Sequence, residues 1–291
     1  MSAFSKTRLD RLRDVLAGYV GRGEVPGVLV LLSRGGETQL EQAGDVTPDT
    51  IFRISSMTKP VTAAAALILV EECVLRLDDP VNEYLPELAD RRVLTGLDAP
   101  LSSTVPAVRP ITVRDLLTFT MGLGFGAGMW GPPGSVPIMD ALTALGQGAP
   151  APAGVPAPGE WMRRLGELPL VCQPGEQWLY NTGSDVLGVL VARASGQPFD
   201  AFLRQRIFDP LGMTDTGFSV RGFGVSVVTR RTSLYQSVGS YGWNGGLGTA
   251  WFTDPAEDLT LILMTQRAMT SHMPPPLFRD FWTSAYAALD D

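Results

Sequence analysis

Histidine is almost missing from this chain: His272 is the only one among 291 residues. It stands in Ser271-His272-Met273-Pro274 near the C-terminus, so a Ser-His-Asp triad or a histidine metal site is not expected. No Gly-x-Ser-x-Gly elbow occurs either. Cys73 and Cys172 are isolated thiols without metal spacing or a disulfide framework, and both are expected as small buried side chains. Neither metal nor cofactor is expected. Long apolar runs are lacking too. The longest, Val61 to Val70, falls far short of the ~20 residues a bilayer requires. Met1 to Val20 is charged and helical in pattern, without the uninterrupted apolar centre of a signal peptide. A soluble, cytoplasmic protein without a membrane partner is expected. Net charge is −7 and pI about 4.8, so nucleic acid is not an expected partner.

The most informative scarcity is lysine. Of 23 basic residues only Lys6 and Lys59 are lysines, and the rest are arginines. Arginine stays protonated in proteins and cannot serve as a base, whereas a lysine can if it is partly neutral. Lys59 lies in Arg53-Ile54-Ser55-Ser56-Met57-Thr58-Lys59-Pro60, ahead of the helix-forming run Val61 to Val70. Ser56 precedes it by three residues. A helix beginning at about Ser56 puts both side chains on one face, roughly 5–6 Å apart at Cβ. A serine hydroxyl needs a neighbouring base to become a nucleophile. Burial and a helix N-terminus both lower a lysine pKa toward that role. Taken alone, a serine three residues before a lysine is a weak signal, since serine is common in the chain.

What is present fits a large core: 45% of the residues are hydrophobic, enough for one compact unit or two subdomains. After a first helix with Leu9, Leu12, Leu16 and Tyr19 on one side, Val25 to Ser33 reads as a strand. Arg34-Gly35-Gly36 turns the chain, and Glu37 to Gln42 returns as a hairpin partner. A short strand is expected at Ile51-Phe52-Arg53, followed by the Ser56 helix to about Glu72. Asp79-Pro80 predicts an N-cap and a short helix through Leu85. Thr112-Val113-Arg114-Asp115 reads as a capping box. Gly122 to Gly134 is glycine-rich, with Phe125, Met129 and Trp130 interspersed, and Ala149 to Gly159 is expected as an irregular loop. A helix carrying Val186, Leu187, Leu190, Val191 and Ala194 stops at Gly196, and Phe199 to Phe208 forms another. Strands follow at Gly224 to Arg230, Tyr241 to Asn244, Gly248 to Phe252 and Leu259 to Gln266. An amphipathic helix, Pro276 to Leu289, closes the chain. The pattern predicts an α/β fold with one antiparallel sheet built from both termini (1–58 and 221–291), flanked by helices, and an inserted, mostly helical subdomain (59–220).

Three stretches then resemble a known superfamily. Ser56-Met57-Thr58-Lys59, Tyr180-Asn181-Thr182 and Trp243-Asn244-Gly245-Gly246 are similar to the Ser-x-x-Lys, Tyr-x-Asn and Lys-Thr-Gly motifs of serine β-lactamases and penicillin-binding proteins. They stand in the same order. Trp at the head of the third motif is closer to the β-lactamase-like carboxylesterases, the family VIII esterases. Ile111 to Thr118 and Pro210-Leu211-Gly212-Met213 resemble the same superfamily, and the likeness covers nearly the whole chain. The resemblance implies a β-lactamase/transpeptidase-like fold. Ser56 would be the acylated nucleophile, Lys59 and Tyr180 would share its proton, and the N–H groups of Ser56 and Gly246 would form an oxyanion hole. Thr182, Trp243, Asn244 and Gly245 would line the substrate. By itself Tyr180 reads more readily as a core tyrosine after Trp178, and Trp243 equally as an ordinary strand aromatic.

The chain departs from the pattern in three places. Thr182 stands where β-lactamases carry an asparagine that binds a substrate amide. Trp243 stands where they carry a cation for a carboxylate, although Arg230 or Arg231 could supply charge nearby. Phe218-Ser219-Val220 passes at once into Arg221-Gly222-Phe223-Gly224, where relatives carry a long segment with a helix and site walls. The first two departures favour neutral, short-chain esters as the small-molecule substrate. A β-lactamase, D-amino-acid peptidase or acyl transferase uses the same acyl-enzyme. The third departure motivates a non-catalytic, penicillin-binding-like reading. Oligomeric state is not legible.

Overall fold

The computed structural model describes residues 2–129, 132, 134–147, 155–217, 226–227 (backbone only), 236–271 and 273–290. Trp130, Arg230, Arg231, His272 and the shortened connection at 218–225 lie outside the described residues. In chain order the strands are β1 (Gly27–Arg34), β2 (Glu37–Gly44), β3 (Arg92–Leu94), β4 (Thr104–Pro106), β5 (Ser226–Val227), β6 (Tyr241–Gly245), β7 (Thr249–Asp254) and β8 (Leu259–Thr265). The helices are α1 (Lys6–Gly21), α2 (Lys59–Glu71), α3 (Val113–Leu117), α4 (Pro137–Ala144), α5 (Pro158–Glu167), α6 (Thr182–Ser195), α7 (Phe199–Leu203) and α8 (Pro276–Ala287). The chain divides into two compact units, Met1–Thr58 with Val225–Asp291, and Lys59–Gly224.

The first unit is an α/β body around one antiparallel sheet in the order β2-β1-β8-β7-β6-β5. Its hairpin β1–β2 turns on Gly35 and Gly36, at φ +57° and +79°. Two successive positive φ values make a tight turn whose twist matches that of the strands. Beside β1 lies β8, from the far end of the chain, with Val28 opposite Thr265 and Arg34 opposite Leu259. The apolar residues of β8 alternate in and out, as a half-covered strand requires. Leu12 and Leu16 of α1, Val28 and Leu32 of β1, Leu261 and Leu263 of β8, and Phe278 and Phe281 of α8 share one buried cluster. The Tyr19 hydroxyl donates to Asp280 Oδ2 at 2.6 Å, tying α1 to α8.

The second unit is mostly helical, with the small hairpin β3–β4 at its side. Leu69, Leu116, Trp161, Leu187, Leu190 and Phe202 are among its buried core residues. The capping box forms as the sequence predicts. Thr112 Oγ1 accepts from the Asp115 N–H, and Asp115 Oδ2 accepts from the Thr112 N–H at 2.9 Å. Burial acts to raise the Asp115 carboxyl, but hydrogen bonds from Arg109 and Thr112 outweigh it and hold the pKa below the usual value. Gly196 ends α6 in the left-handed conformation at φ +69°.

Several local expectations are corrected. The α2 helix starts at Lys59 rather than about Ser56, because Ser55 sits at φ +47° and the chain first makes a turn. Residues 51–53 form no strand; Ile51 is 70% exposed and the segment has no ladder partner among the described residues. Asp79 is not an N-cap: a single 3-10 turn, Val81–Glu83, follows Pro80 instead. Cys73 is exposed, while Cys172 is buried as expected. Beyond α7 the predicted helix continues as a π-helical turn, Arg204–Phe208. The helices α4 and α5 were not foreseen, since both open on proline within Pro- and Gly-rich sequence. Pro137 and Pro158 take the first helical position, where their missing N–H costs nothing.

Candidate active site

In the sheet unit the turn carrying Ser56 is held by backbone bonds. Met57 N–H donates to the Ile54 carbonyl and Thr58 N–H to the Ser55 carbonyl, both at 3.0 Å. Ser56 itself is half-buried and hydrogen-bonded or otherwise engaged. Strand β6 carries Trp243, Asn244 and Gly245, and Gly246 follows it. Gly245 packs its bare Cα against this turn: a Cβ there would stand 2.4 Å from the Ile54 carbonyl oxygen and 2.2 Å from Thr249 Oγ1. Thr249 Oγ1 in turn donates to that same carbonyl at 3.1 Å. A Cβ at Gly246 would lie 4.0 Å from Ser55 Oγ, so the third motif and the Ser56 turn adjoin. Asn244 Oδ1 is buried and has no hydrogen-bond donor among the described residues.

In the helical unit the organising group is Lys59, the first residue of α2 and only 2% exposed. Its Nζ donates to Tyr180 Oη at 2.8 Å and to Asn181 Oδ1 at 2.9 Å. It also lies 4.4 Å from the centroid of the Tyr180 ring. Tyr180 is fixed through its backbone, which exchanges two hydrogen bonds with Phe125 at 2.7 and 2.8 Å. That close approach needs Gly124, at φ +152°, whose Cβ would clash with the Tyr180 carbonyl at 2.5 Å. The glycine-rich stretch therefore has a local purpose. Trp178 stacks on the Tyr180 ring at 5.8 Å, and Phe119 meets Trp178 edge-on at the same distance.

Next to Tyr180 the backbone is strained. Asn181 has φ +81° and ψ −69°, and the Thr182 N–H donates to the Tyr180 carbonyl at 3.2 Å, which is a γ-turn of the rare kind. Asn181 Nδ2 donates to Gln147 Oε1 at 3.0 Å, and Thr182 Oγ1 donates to the same oxygen at 3.0 Å. Gln147 Nε2 donates onward to Asp185 Oδ2 at 2.7 Å. Thr182 is wholly buried, with its hydroxyl on Gln147.

Burial depresses the Lys59 amine to about 7, while the negative charge of Asp185 pulls the other way. A sizeable neutral fraction is then present at neutral pH. Such an amine can accept a proton through its lone pair while its N–H groups stay on Tyr180 and Asn181. Among the described residues no three His, Cys, Asp or Glu side chains cluster to hold a metal. No described helix is long and apolar enough to cross a membrane.

Sequence reasoning brought Lys59 and Tyr180 forward but passed over Asn181, Gln147 and Asp185. Asn181 occupied a position that the Tyr-x-Asn pattern leaves variable. Asp185 did carry a signal, since it stands four residues after Asn181 in the first turn of α6. Gln147, at the mouth of the Pro- and Ala-rich stretch, carried none.

The β-lactamase family profile matches residues 12–237. This chain belongs to the β-lactamase family. Among curated β-lactamase-family relatives, esterase EstB of Burkholderia gladioli is 35% identical over 221 residues, covering 72% of this chain and 51% of EstB. An uncharacterized protein of Mycobacterium tuberculosis is 45% identical over 174 residues, 59% of this chain and 40% of that protein. The chain thus spans about half the length of the curated relatives it matches. The solved structure of EstCE1, a hydrolase with promiscuous acyltransferase activity, superposes with a TM-score of 0.76 at 18% identity. It covers 97% of this chain and 99% of its own. At that identity the likeness is one of fold, the α/β antiparallel-sheet architecture of the β-lactamase family.

Proposed function

We propose that this chain is a serine hydrolase that cleaves short-chain carboxylic esters through an acyl-enzyme on Ser56. The observation that carries the reading is the Lys59–Tyr180 pair, with a buried amine near neutrality 2.8 Å from a phenol oxygen, three residues beyond a serine in a tight turn. Ser56 Oγ attacks the ester carbonyl carbon as its proton passes to the Lys59–Tyr180 pair. The carbonyl π-bond opens, and the charge on oxygen is held by the N–H groups of Ser56 and Gly246. The tetrahedral adduct collapses, the C–O bond to the alcohol breaks, and the pair returns the proton to the leaving oxygen. Water then repeats the sequence on the acyl-Ser56 ester, giving the carboxylic acid and free enzyme. Neither metal nor cofactor enters.

A neutral ester suits the residues that depart from the β-lactamase pattern. Trp243 replaces the carboxylate-binding cation. Thr182 replaces the amide-binding asparagine, and its hydroxyl is already on Gln147. Trp243, Gly245 and Asn244, whose buried Oδ1 meets no donor among the described residues, are assigned to the substrate side. Relatives whose names describe them as esterases, EstB and the lovastatin esterase of Penicillium rubens, support the same substrate class.

The test is turnover of p-nitrophenyl acetate and butyrate together with labelling by a fluorophosphonate probe. Turnover and a label abolished by Ser56→Ala are expected, with a chromogenic cephalosporin hydrolysed more slowly than the esters. Labelling that survives Ser56→Ala overturns the assignment.

A further inference from the structure

The Lys59 amine makes a hydrogen bond to an amide oxygen, and nothing in an isolated asparagine dictates that its oxygen rather than its nitrogen faces an amine. We infer that Asp185 and Gln147 are positioning residues: Asp185, acting through Gln147, fixes the Asn181 amide so that an acceptor always faces Lys59. This rests on the esterase reading above, whose base it orients. The chain of reasoning starts at the carboxylate, which can only accept. Gln147 must therefore turn its NH2 to Asp185 Oδ2, at 2.7 Å, and its oxygen away. That oxygen takes the Asn181 NH2 and the Thr182 hydroxyl, both at 3.0 Å. The Asn181 NH2 also lies 3.5 Å from the same carboxylate oxygen. Only Asn181 Oδ1 is then left to meet Lys59 Nζ, at 2.9 Å.

Reversing the Gln147 amide would set donor against donor where Gln147 is 4% exposed and Thr182 wholly buried, a mismatch that costs the most away from water. Reversing the half-buried Asn181 amide would set its NH2 against the Lys59 amine. The γ-turn at Asn181 holds the backbone, leaving the amide's flip as the one freedom to be removed. Two of the amine's contacts, Tyr180 Oη and Asn181 Oδ1, both accept from Nζ and so set its orientation. Among the described residues of the helical unit, Tyr180, from the segment before α6, and Asp185, from α6, are titratable groups that act on Lys59. The Glu72–Arg206 ion pair lies beyond the other end of α2.

The chain's two lysines make the test direct. Protein labelled with ¹³C at lysine Cε gives two signals, and loss of one in Lys6→Arg assigns the other to Lys59. Titration of that signal is compared among the wild type, Asp185→Asn and Gln147→Met. Asp185→Asn removes the charge that favours the ammonium and lets both amides flip. Gln147→Met keeps the side-chain length and removes only the relay. Both variants are expected to move the Lys59 midpoint to lower pH. Both are also expected to lower kcat for p-nitrophenyl acetate about tenfold with KM little changed, short of the 10²–10⁴ loss of deleting the base itself. If Asp185→Asn does not fold, Gln147→Met decides. A Lys59 midpoint that stays at the wild-type value in the folded variants overturns the inference. Because the titration needs no turnover, it reads the relay even in a chain inert toward esters, while fluorophosphonate labelling of the wild type reads the esterase assignment.

Discussion

In the proposed mechanism Lys59 takes part in proton transfer, and that role is separable by experiment from that of a structural cation. Arginine keeps the charge and nearly the length but does not give up its proton at neutral pH. Lys59→Arg is expected to lose ester hydrolysis by 10²–10⁴, or about 3–5 kcal/mol of transition-state stabilisation, and to be less stable than the wild type because its charge stays buried at every pH. Activity kept within a few-fold would leave Tyr180 to carry the proton alone. The same residue imposes a pH dependence on stability. Folded Lys59 releases its proton at about 7 and the unfolded residue at about 10.5, so between these values the unfolded chain holds more protons. Stability therefore rises with pH across that window, and the burial penalty is complete below about pH 7, on the order of 4 kcal/mol. Urea unfolding of wild type and Lys59→Met at pH 6, 8 and 9.5 measures it. The variant's advantage should be greatest at pH 6 and shrink as the pH rises; parallel curves would refute the burial account.

At the scale of elements, the Ser56 turn and strand β6 depend on each other through a missing side chain. Gly245 lets the strand approach the Ile54 carbonyl, which also accepts from Met57 N–H and Thr249 Oγ1. Gly245→Ala would drive a methyl group into that carbonyl and displace the turn carrying Ser56, the proposed nucleophile. A displacement near 1 Å of a reacting group costs on the order of 10² in rate. We expect Gly245→Ala to lose hydrolysis on that scale while keeping its circular dichroism spectrum, and full activity would sever the link between strand and turn. The Gly-Gly pair was visible in the sequence as a place for close backbone approach. Its neighbour across the gap was not, because Ile54 and Gly245 are almost two hundred positions apart. The capping box at Thr112 and the stop at Gly196 were legible for the opposite reason: all their partners lie within one helical turn.

On the scale of the whole molecule, the sheet unit is made by two distant pieces of chain that each lack a core. Strand β1 is completed by β8, and α1 by α8. Phe281, fully buried in that shared cluster, belongs to the last helix but supports the first strands. Truncating Phe281 to Ala should destabilise by roughly 3–5 kcal/mol. Chemical unfolding followed through near-ultraviolet circular dichroism checks the value, and a loss under 1 kcal/mol would show that α8 merely rests on the surface.

The sequence by itself determined what short-range physics controls: the helix and strand periods, the Gly35-Gly36 turn, the capping box, and the chemical identity of a serine and a rare lysine on one short stretch. It also settled the family, because three motifs in fixed order are more specific than any one of them. Only the tertiary structure decided that α2 begins at Lys59, that Cys73 faces solvent, and that Thr182 turns its hydroxyl inward to Gln147. Only it revealed the path from Asp185 through Gln147 and Asn181 to Lys59. The physical reason is the same in each case. Burial and hydrogen-bond direction depend on which atoms meet across the folded chain, and a pattern read along the sequence contains no term for them.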